Sequence, residues 1–238
     1  MTLPFDTRCM QCPGGSIWVD HARIPEPDCN LLNPLNPRYT VEPVSHGGRQ
    51  AAWFVQAGFG DAVIRHYRRG GLVARFSADR YIWRGPERTR SLAEYRLLQF
   101  MYERGLPVPR PLAAAYWRTG LLYRAAIMIE RIPDARPLVT VLDQGHQART
   151  ALALFQMHQL GVWHADLNAY NILIDNNDKV WLIDFDKSRP RALTPELRQA
   201  NLLRLRRSLV KLAGERGMLW WAELDQAYGQ LERSHGHL

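Results

Sequence analysis

Lysine is almost missing from this chain. Among 31 cationic side chains only Lys179, Lys187 and Lys211 are lysines, and none precedes Lys179. Any task that needs a cation in the first two thirds of the chain must therefore use arginine. Long apolar runs are missing too. No window approaches the ~20 apolar residues needed to cross a bilayer. Met1 to Met10 shows neither the basic stretch nor the apolar stretch of a signal peptide. These absences predict a soluble or peripheral protein of the cytosol. Cysteine is scarce, with only Cys9, Cys12 and Cys29. Cys9-x-x-Cys12 could open a zinc site with His21 and Cys29, but the spacing matches no common zinc motif. A redox CxxC wants a strand before it and a helix after it, and Pro13-Gly14-Gly15 argues against that. The expectation is free thiols. Internal repeats and low-complexity tracts are also absent.

What is present is an ordinary globular composition. The chain has 238 residues, 46% hydrophobic and 10% aromatic, which fits one or two domains with a sizeable core. The formal net charge is +8. Such a surface draws anionic partners, whether nucleic acid, acidic lipid or a charged small molecule. Residues 1–45, rich in proline and asparagine over 20–45, read as an irregular lead-in. Ala52–Val55 and Ala62–Tyr67 read as strands of a hairpin turned at Gly58-Phe59-Gly60-Asp61. A helix is predicted over about 90–103, with Leu92, Tyr95, Leu98, Met101 and Tyr102 on one face. Ser91 and Glu94 have capping-box spacing at its start. Two strands follow, Ala113–Trp117 and Leu122–Glu130. Pro133-Asp134 then breaks the pattern. A second helix is predicted over about 144–160, with Ala148, Leu152 and Phe155 on one face and Gly161 as its stop. The break near Arg131–Ala135 predicts two lobes, 46–132 and 133–238, with a ligand between them.

The chemistry concentrates in Val162-Trp163-His164-Ala165-Asp166-Leu167-Asn168-Ala169-Tyr170-Asn171-Ile172-Leu173-Ile174. A turn at Asp175–Asp178 leads to Val180-Trp181-Leu182-Ile183-Asp184-Phe185-Asp186. Polar residues stand at fixed offsets between short apolar runs that want to be buried strands. Phosphoryl transfer from ATP needs a carboxylate for the hydroxyl proton, oxygen ligands for Mg²⁺ and a cation on the phosphates. Asp166 suits the first role. Asn171 and Asp184 suit the second, because Mg²⁺ takes a few hard oxygens together with phosphate and water.

His164-x-Asp166-Leu167-x-x-x-Asn171 resembles the H-R-D-L-x-x-x-N catalytic loop of kinases, and Asp184-Phe185-Asp186 resembles their D-F-G element. The resemblance implies an α+β, protein-kinase-like two-lobe fold. Its N-lobe would be an antiparallel sheet with one main helix, its C-lobe mostly helical. It also implies an upstream cation and a partner acid. Arg65 holds the cation's place and Glu94 the acid's, although Glu94 could equally close the capping box. Gly47 and Gly48 stand where a phosphate-covering loop would be, and a plain glycine turn serves the sequence as well. Glu130 sits where a hinge would meet adenine, or is simply a glutamate at a strand end. No Walker-type G-x-x-x-x-G-K-[ST] exists, which excludes a P-loop enzyme. Asn168 stands where protein kinases have lysine, so Lys187 is the candidate for the γ-phosphate. Asp186 replaces the D-F-G glycine, which predicts a constitutively assembled site.

Fewer than ten residues separate Asp186 from the helix start at Thr194-Pro195. No extended activation segment or A-P-E element fits there, which argues against a protein substrate. The chain most resembles the bacterial lipopolysaccharide kinases. The resemblance rests on Arg65–Gly71, Ala93-Glu94-Tyr95, Pro107-x-Pro109-x-Pro111, His164–Leu173 and Asp184–Ser188. It runs from Gly47 to about Leu212. It implies ATP and Mg²⁺ as cofactors. The implied acceptor is a hydroxyl of 3-deoxy-D-manno-octulosonic acid (Kdo) on the lipid A precursor, at the cytoplasmic face of the bacterial inner membrane. The last helix, about 195–212, places Leu202, Leu205, Leu209 and Leu212 on one face and Arg204, Arg207 and Lys211 on another. The basic stripe is either a lipid-headgroup contact or a solvated face. The rival readings are a heptose or aminoglycoside kinase and a pseudokinase binding an anionic partner. No base-reading motif appears, so nucleic acid is not expected.

Overall fold

A computed structural model describes residues 3–44, 52–68 and 79–235. The chain divides into two compact units, one of Met1–Gln99 with Arg110–Arg131 and one of Phe100–Pro109 with Ile132–Leu238.

The first unit is built on an antiparallel sheet. Its strands are β1 (Thr7–Cys12), β2 (Gly15–Asp20), β3 (Thr40–Pro43), β4 (Ala52–Ala57), β5 (Gly60–His66), β6 (Tyr81–Ile82), β7 (Pro111–Thr119) and β8 (Leu122–Glu130). They lie in the order β1-β2-β7-β8-β5-β4-β3, and β6 pairs with β8. The hairpin expected at 52–67 forms with Val55 opposite Ala62, and β5 then pairs with β8, placing Arg65 opposite Ile127. Ile17, Val19, Val55, Ile64, Ala113, Ala126 and Met128 make the core beneath the sheet. Alanines in β7 leave room for close approach. A Cβ on Gly15, which pairs with Trp117, would sit 1.8 Å from the Tyr116 carbonyl oxygen, so only glycine fits the start of β2.

The lead-in is irregular over residues 21–39 but not before them. β1 and β2 form a hairpin that extends the sheet through β7. The short alternating runs in 7–20 carry this pairing, and the neighbouring prolines and asparagines hid it. A buried ion pair secures the hairpin. Arg110 Nε donates to Asp20 Oδ2 at 2.7 Å with both side chains at 1% exposure or less. The remaining guanidinium nitrogens donate to the carbonyls of Leu3 and Pro4. The expected free thiols are also corrected: Cys12 and Cys29 are joined in a disulfide, and Cys9 alone is free.

Helix α1 (Arg90–Tyr102) follows the expected span. It buries Leu92, Tyr95, Leu98 and Met101. No capping box forms, because the Ser91 hydroxyl donates to the Ala115 carbonyl at 2.8 Å instead.

The second unit contains β9 (Arg136–Pro137), α2 (Gln147–Gln159), β10 (Val162–Trp163), β11 (Ile172–Ile174), β12 (Val180–Leu182), β13 (Arg189–Pro190) and α3 (Pro195–His235). β11 pairs antiparallel with β12 and β9, and β10 pairs with β13. α2 turns a different face inward from the expected one. Leu152 is 43% exposed, whereas Ala151, Leu154, Phe155, Met157 and His158 are buried. The alanines allowed two readings of the periodicity, and the packing against α3 selected one. α3 runs far beyond Leu212 but is broken at Gly214, with φ 57° and ψ −130°. Past the break the chain packs closely on itself, and a Cβ on Gly217 would meet the Leu209 carbonyl oxygen at 2.2 Å.

Candidate active site

The Asp166 loop is held by its own main chain and by α3. His164 is fully buried, and its ring defines the loop. Nδ1 accepts the Asp166 N–H at 3.1 Å, and Nε2–H donates to the Ile183 carbonyl at 2.9 Å. With one nitrogen accepting and the other donating, the imidazole is neutral. Burial favours the same state and pushes its pKa below the ordinary histidine value. The ring also lies 4.6 Å from the Phe185 ring, which is buried. His164 thus joins the Asp166 loop to the Asp184-Phe185-Asp186 turn without carrying a charge.

Asn171 points its amide nitrogen back at this loop and donates to the Asp166 carbonyl oxygen at 2.9 Å. The amide oxygen is the end left to meet a ligand. Ile183 N–H donates to the Asn171 carbonyl, which ties Asn171 to the residue before Asp184. Asp184 has a left-handed backbone with φ 60°. Asp tolerates that region better than most residues, and such strain collects at functional sites. An amide oxygen and a carboxylate fit the donor set of Mg²⁺, which needs only one or two protein oxygens beside phosphate and water. Among the described residues no cluster of three or more His, Cys, Asp or Glu side chains forms a metal site by itself.

Arg65 and Glu94 come together in the first unit. Arg65 Nη2 lies 2.6 Å from both Glu94 carboxylate oxygens. Tyr67 donates its hydroxyl to Glu94 Oε2 at 2.5 Å, and Glu94 is 4% exposed. The carboxylate serves Arg65 and Tyr67, not a helix cap. Glu130 ion-pairs with Arg23 at 2.9 Å and donates its N–H to the Arg110 carbonyl. Lys187 is exposed in a left-handed turn, φ 65°. Gly47 and Gly48 lie outside the described residues.

The family model for the lipopolysaccharide kinase (Kdo/WaaP) family matches residues 40–228. The chain belongs to the lipopolysaccharide kinase family. It is a phosphotransferase with an alcohol group as acceptor. It is 46% identical over 234 residues to a 3-deoxy-D-manno-octulosonic acid kinase of Stenotrophomonas maltophilia, covering 96% of this chain and 93% of that protein. Proteins of the same name from Xanthomonas axonopodis and Xylella fastidiosa are 45% and 44% identical, covering 93% and 92% of this chain and 89% and 87% of theirs.

Several residues of this kinase's loop had no motif to announce them. Asn201 on α3 is fully buried. Its Oδ1 accepts from His164 N–H at 3.3 Å and from His158 Nε2–H at 3.1 Å, while its Nδ2 donates to the His164 carbonyl at 2.8 Å. Tyr228 donates its hydroxyl to His158 Nδ1 at 2.7 Å, so His158 is neutral as well. Ser188 Oγ accepts the Ala165 N–H, and Ser208 Oγ accepts the Ala169 N–H. The one sequence hint was an asparagine within a leucine-rich helix, where it is a poor helix former. Arg204 is the larger surprise. Instead of joining a free basic stripe, it donates from Nη2 to Asp166 Oδ1 at 2.7 Å. Leu202, Leu205 and Leu209 are buried as expected, but Leu212 is 38% exposed.

Proposed function

We propose that this chain transfers the γ-phosphoryl group of ATP to a hydroxyl of the Kdo sugar on the lipid A precursor, in lipopolysaccharide core biosynthesis. The observation that carries this reading is the Asp166 loop. Its carboxylate is solvent-facing on a backbone locked by a neutral buried histidine, and the Asn171 amide is anchored one step away. The names of the relatives add the acceptor.

In this reading Asp166 accepts or orients the proton of the attacking hydroxyl. Asn171 Oδ1 and the Asp184 carboxylate hold Mg²⁺. The bound ion would supply charge neutralisation on the phosphate oxygens. Arg65, fixed by Glu94 and Tyr67, supplies the cation for the α- and β-phosphates. Arginine's planar fork suits phosphate oxygens, and its charge never titrates. Lys187 remains the candidate for the γ-phosphate, and Gly47 and Gly48 for covering the phosphates. Any contact of Glu130 with adenine would use a group other than its N–H, which Arg110 already engages. No helix among the described residues is long and apolar enough to cross a membrane. The enzyme would meet its lipid acceptor peripherally, at the cytoplasmic face of the inner membrane.

The test is product analysis with labelled ATP and a Kdo-bearing lipid A precursor. Phosphate should appear on the Kdo residue. Asp166→Ala should lower turnover by about 10²–10⁴-fold, the usual contribution of a positioned base, while ATP still binds. Absence of label on Kdo, or full activity of Asp166→Ala, would overturn the assignment.

A further inference from the structure

We propose that Arg204 reads the carboxylate of the acceptor sugar. This rests on the assignment of Asp166 as the base and of a Kdo sugar as acceptor.

Arg204 Nη2 contacts Asp166 Oδ1 at 2.7 Å. The side chains are 41% and 57% exposed. An ion pair this open to water holds weakly and exchanges easily for another anion. The guanidinium presents several donors in a plane, and one oxygen of Asp166 engages only one of them. A second carboxylate can therefore be recognised by the remaining donors, or can displace Asp166 from its own.

Geometry limits where that anion sits. A hydroxyl activated by Asp166 lies about 2.6–3.2 Å from its oxygen. Adding the 2.7 Å contact to Arg204 places the guanidinium nitrogen within roughly 6 Å of the reacting hydroxyl, and an anion on it within one further hydrogen bond. That is about the width of one sugar ring. A carboxylate on the phosphorylated sugar itself falls within this reach. The acceptor named for the relatives is an acid, so it carries such a group.

The helix turn that carries Arg204 is fixed to the loop. Arg204 lies one turn before Ser208, whose Oγ accepts the Ala169 N–H, and one turn after Asn201, which binds His164 on both its N–H and its carbonyl. The same face of α3 that fixes the loop thus presents Arg204 beside the base. Asp184 comes from another element, the turn after β12, joined to the loop through Asn171. Arg204 contacts Asp166, the residue that faces the acceptor hydroxyl in this reading. Arginine is also the cation whose fork matches a carboxylate with two bonds.

The experiment is steady-state kinetics on the full chain with ATP and two acceptors, the Kdo-bearing lipid A precursor and its carboxyl methyl ester. The wild type should prefer the acid over the ester by at least tenfold in kcat/KM. Arg204→Ala should raise KM for the acid at least tenfold, leave KM for ATP within twofold, and bring the acid-to-ester ratio close to one. Arg204→Lys, which keeps the charge but not the fork, should restore part of the ratio. A general disturbance of the fold would lower both rates together and leave their ratio unchanged. An unchanged ratio in Arg204→Ala, or a rise confined to KM for ATP, overturns the role given to Arg204. So does a wild type that transfers to acid and ester equally well. A wild type that transfers nothing to Kdo overturns the functional assignment itself.

Discussion

Lowering the pH should loosen the seat of the Asp166 loop, and His158 sets the size of the effect. Burial is the main reason that its pKa falls from 6.5 to about 4. Its Nδ1 accepts from Tyr228 and its Nε2–H donates to Asn201. Nε2 already carries its proton, and a proton on Nδ1 would be a buried charge that forces the Tyr228 hydroxyl to turn from donor to acceptor. The unfolded chain has no such constraint and protonates this ring at about pH 6.5. Between the two values the unfolded state holds the extra proton, so stability rises with pH across this window. The contribution is complete above the unfolded value and is lost as the pH falls from 6.5 towards 4. The gap is worth about 3 kcal/mol in full, of which about 2 kcal/mol is lost by pH 5. Urea unfolding of the wild type and of His158→Gln at pH 7.5 and 5.0 isolates the effect. Glutamine can keep a donor for Asn201 and an acceptor for Tyr228, but it does not titrate. The wild type should lose about 2 kcal/mol more than the variant between the two pH values. Equal losses would refute the reasoning.

Removing the hub of the same network should cost stability and turnover together. Asn201→Ala strips partners from three buried polar groups, and a loss of about 3 kcal/mol is expected in urea unfolding. A loss below about 1 kcal/mol would mean that water replaces the amide. Asp20→Ala removes the buried carboxylate paired with Arg110 Nε. It should destabilise the first unit by about 3–5 kcal/mol, read from unfolding monitored in that unit. Reduction of the Cys12–Cys29 bridge frees a loop with a sequence separation of 17. On the chain-entropy model it should cost about 3 kcal/mol, seen as a lower unfolding midpoint with reductant, and no shift in a Cys12→Ser/Cys29→Ser variant.

The parts of the molecule that the sequence revealed share one property. Each was a local pattern with its own geometry. The hairpin at β4–β5 has its turn residues between two strands. β11 and β12 are short apolar runs around an Asp-Asn-Asn-Asp turn. The span of α1 follows its apolar face, and the short offset from Asp166 to Asn171 lets the amide reach the Asp166 carbonyl. What stayed hidden depends on partners distant in the chain. Arg110 reaches Asp20 across 90 positions, and Tyr228 reaches His158 across 70. Nothing local marks either pair. The disulfide was missed because the cytosolic expectation outweighed the fold, in which Cys12 at the end of β1 meets Cys29. Ser91 shows the reverse failure. A correct local spacing suggested a capping box, but the strand beside α1 offered its hydroxyl a carbonyl instead.

The series of bonds that fixes the Asp166 loop starts far downstream of it, at Tyr228. Tyr228 holds His158, His158 holds Asn201, and Asn201 holds the backbone at His164. During synthesis the loop emerges roughly 60 residues before the tyrosine that completes its support. At about 5–20 residues per second that interval lasts roughly 3–12 seconds. A nascent chain would carry every residue of the motif and still lack its finished setting. Activity should therefore begin only after Tyr228 has been made, and a premature stop before Tyr228 should yield a protein with the full motif and an unsupported loop.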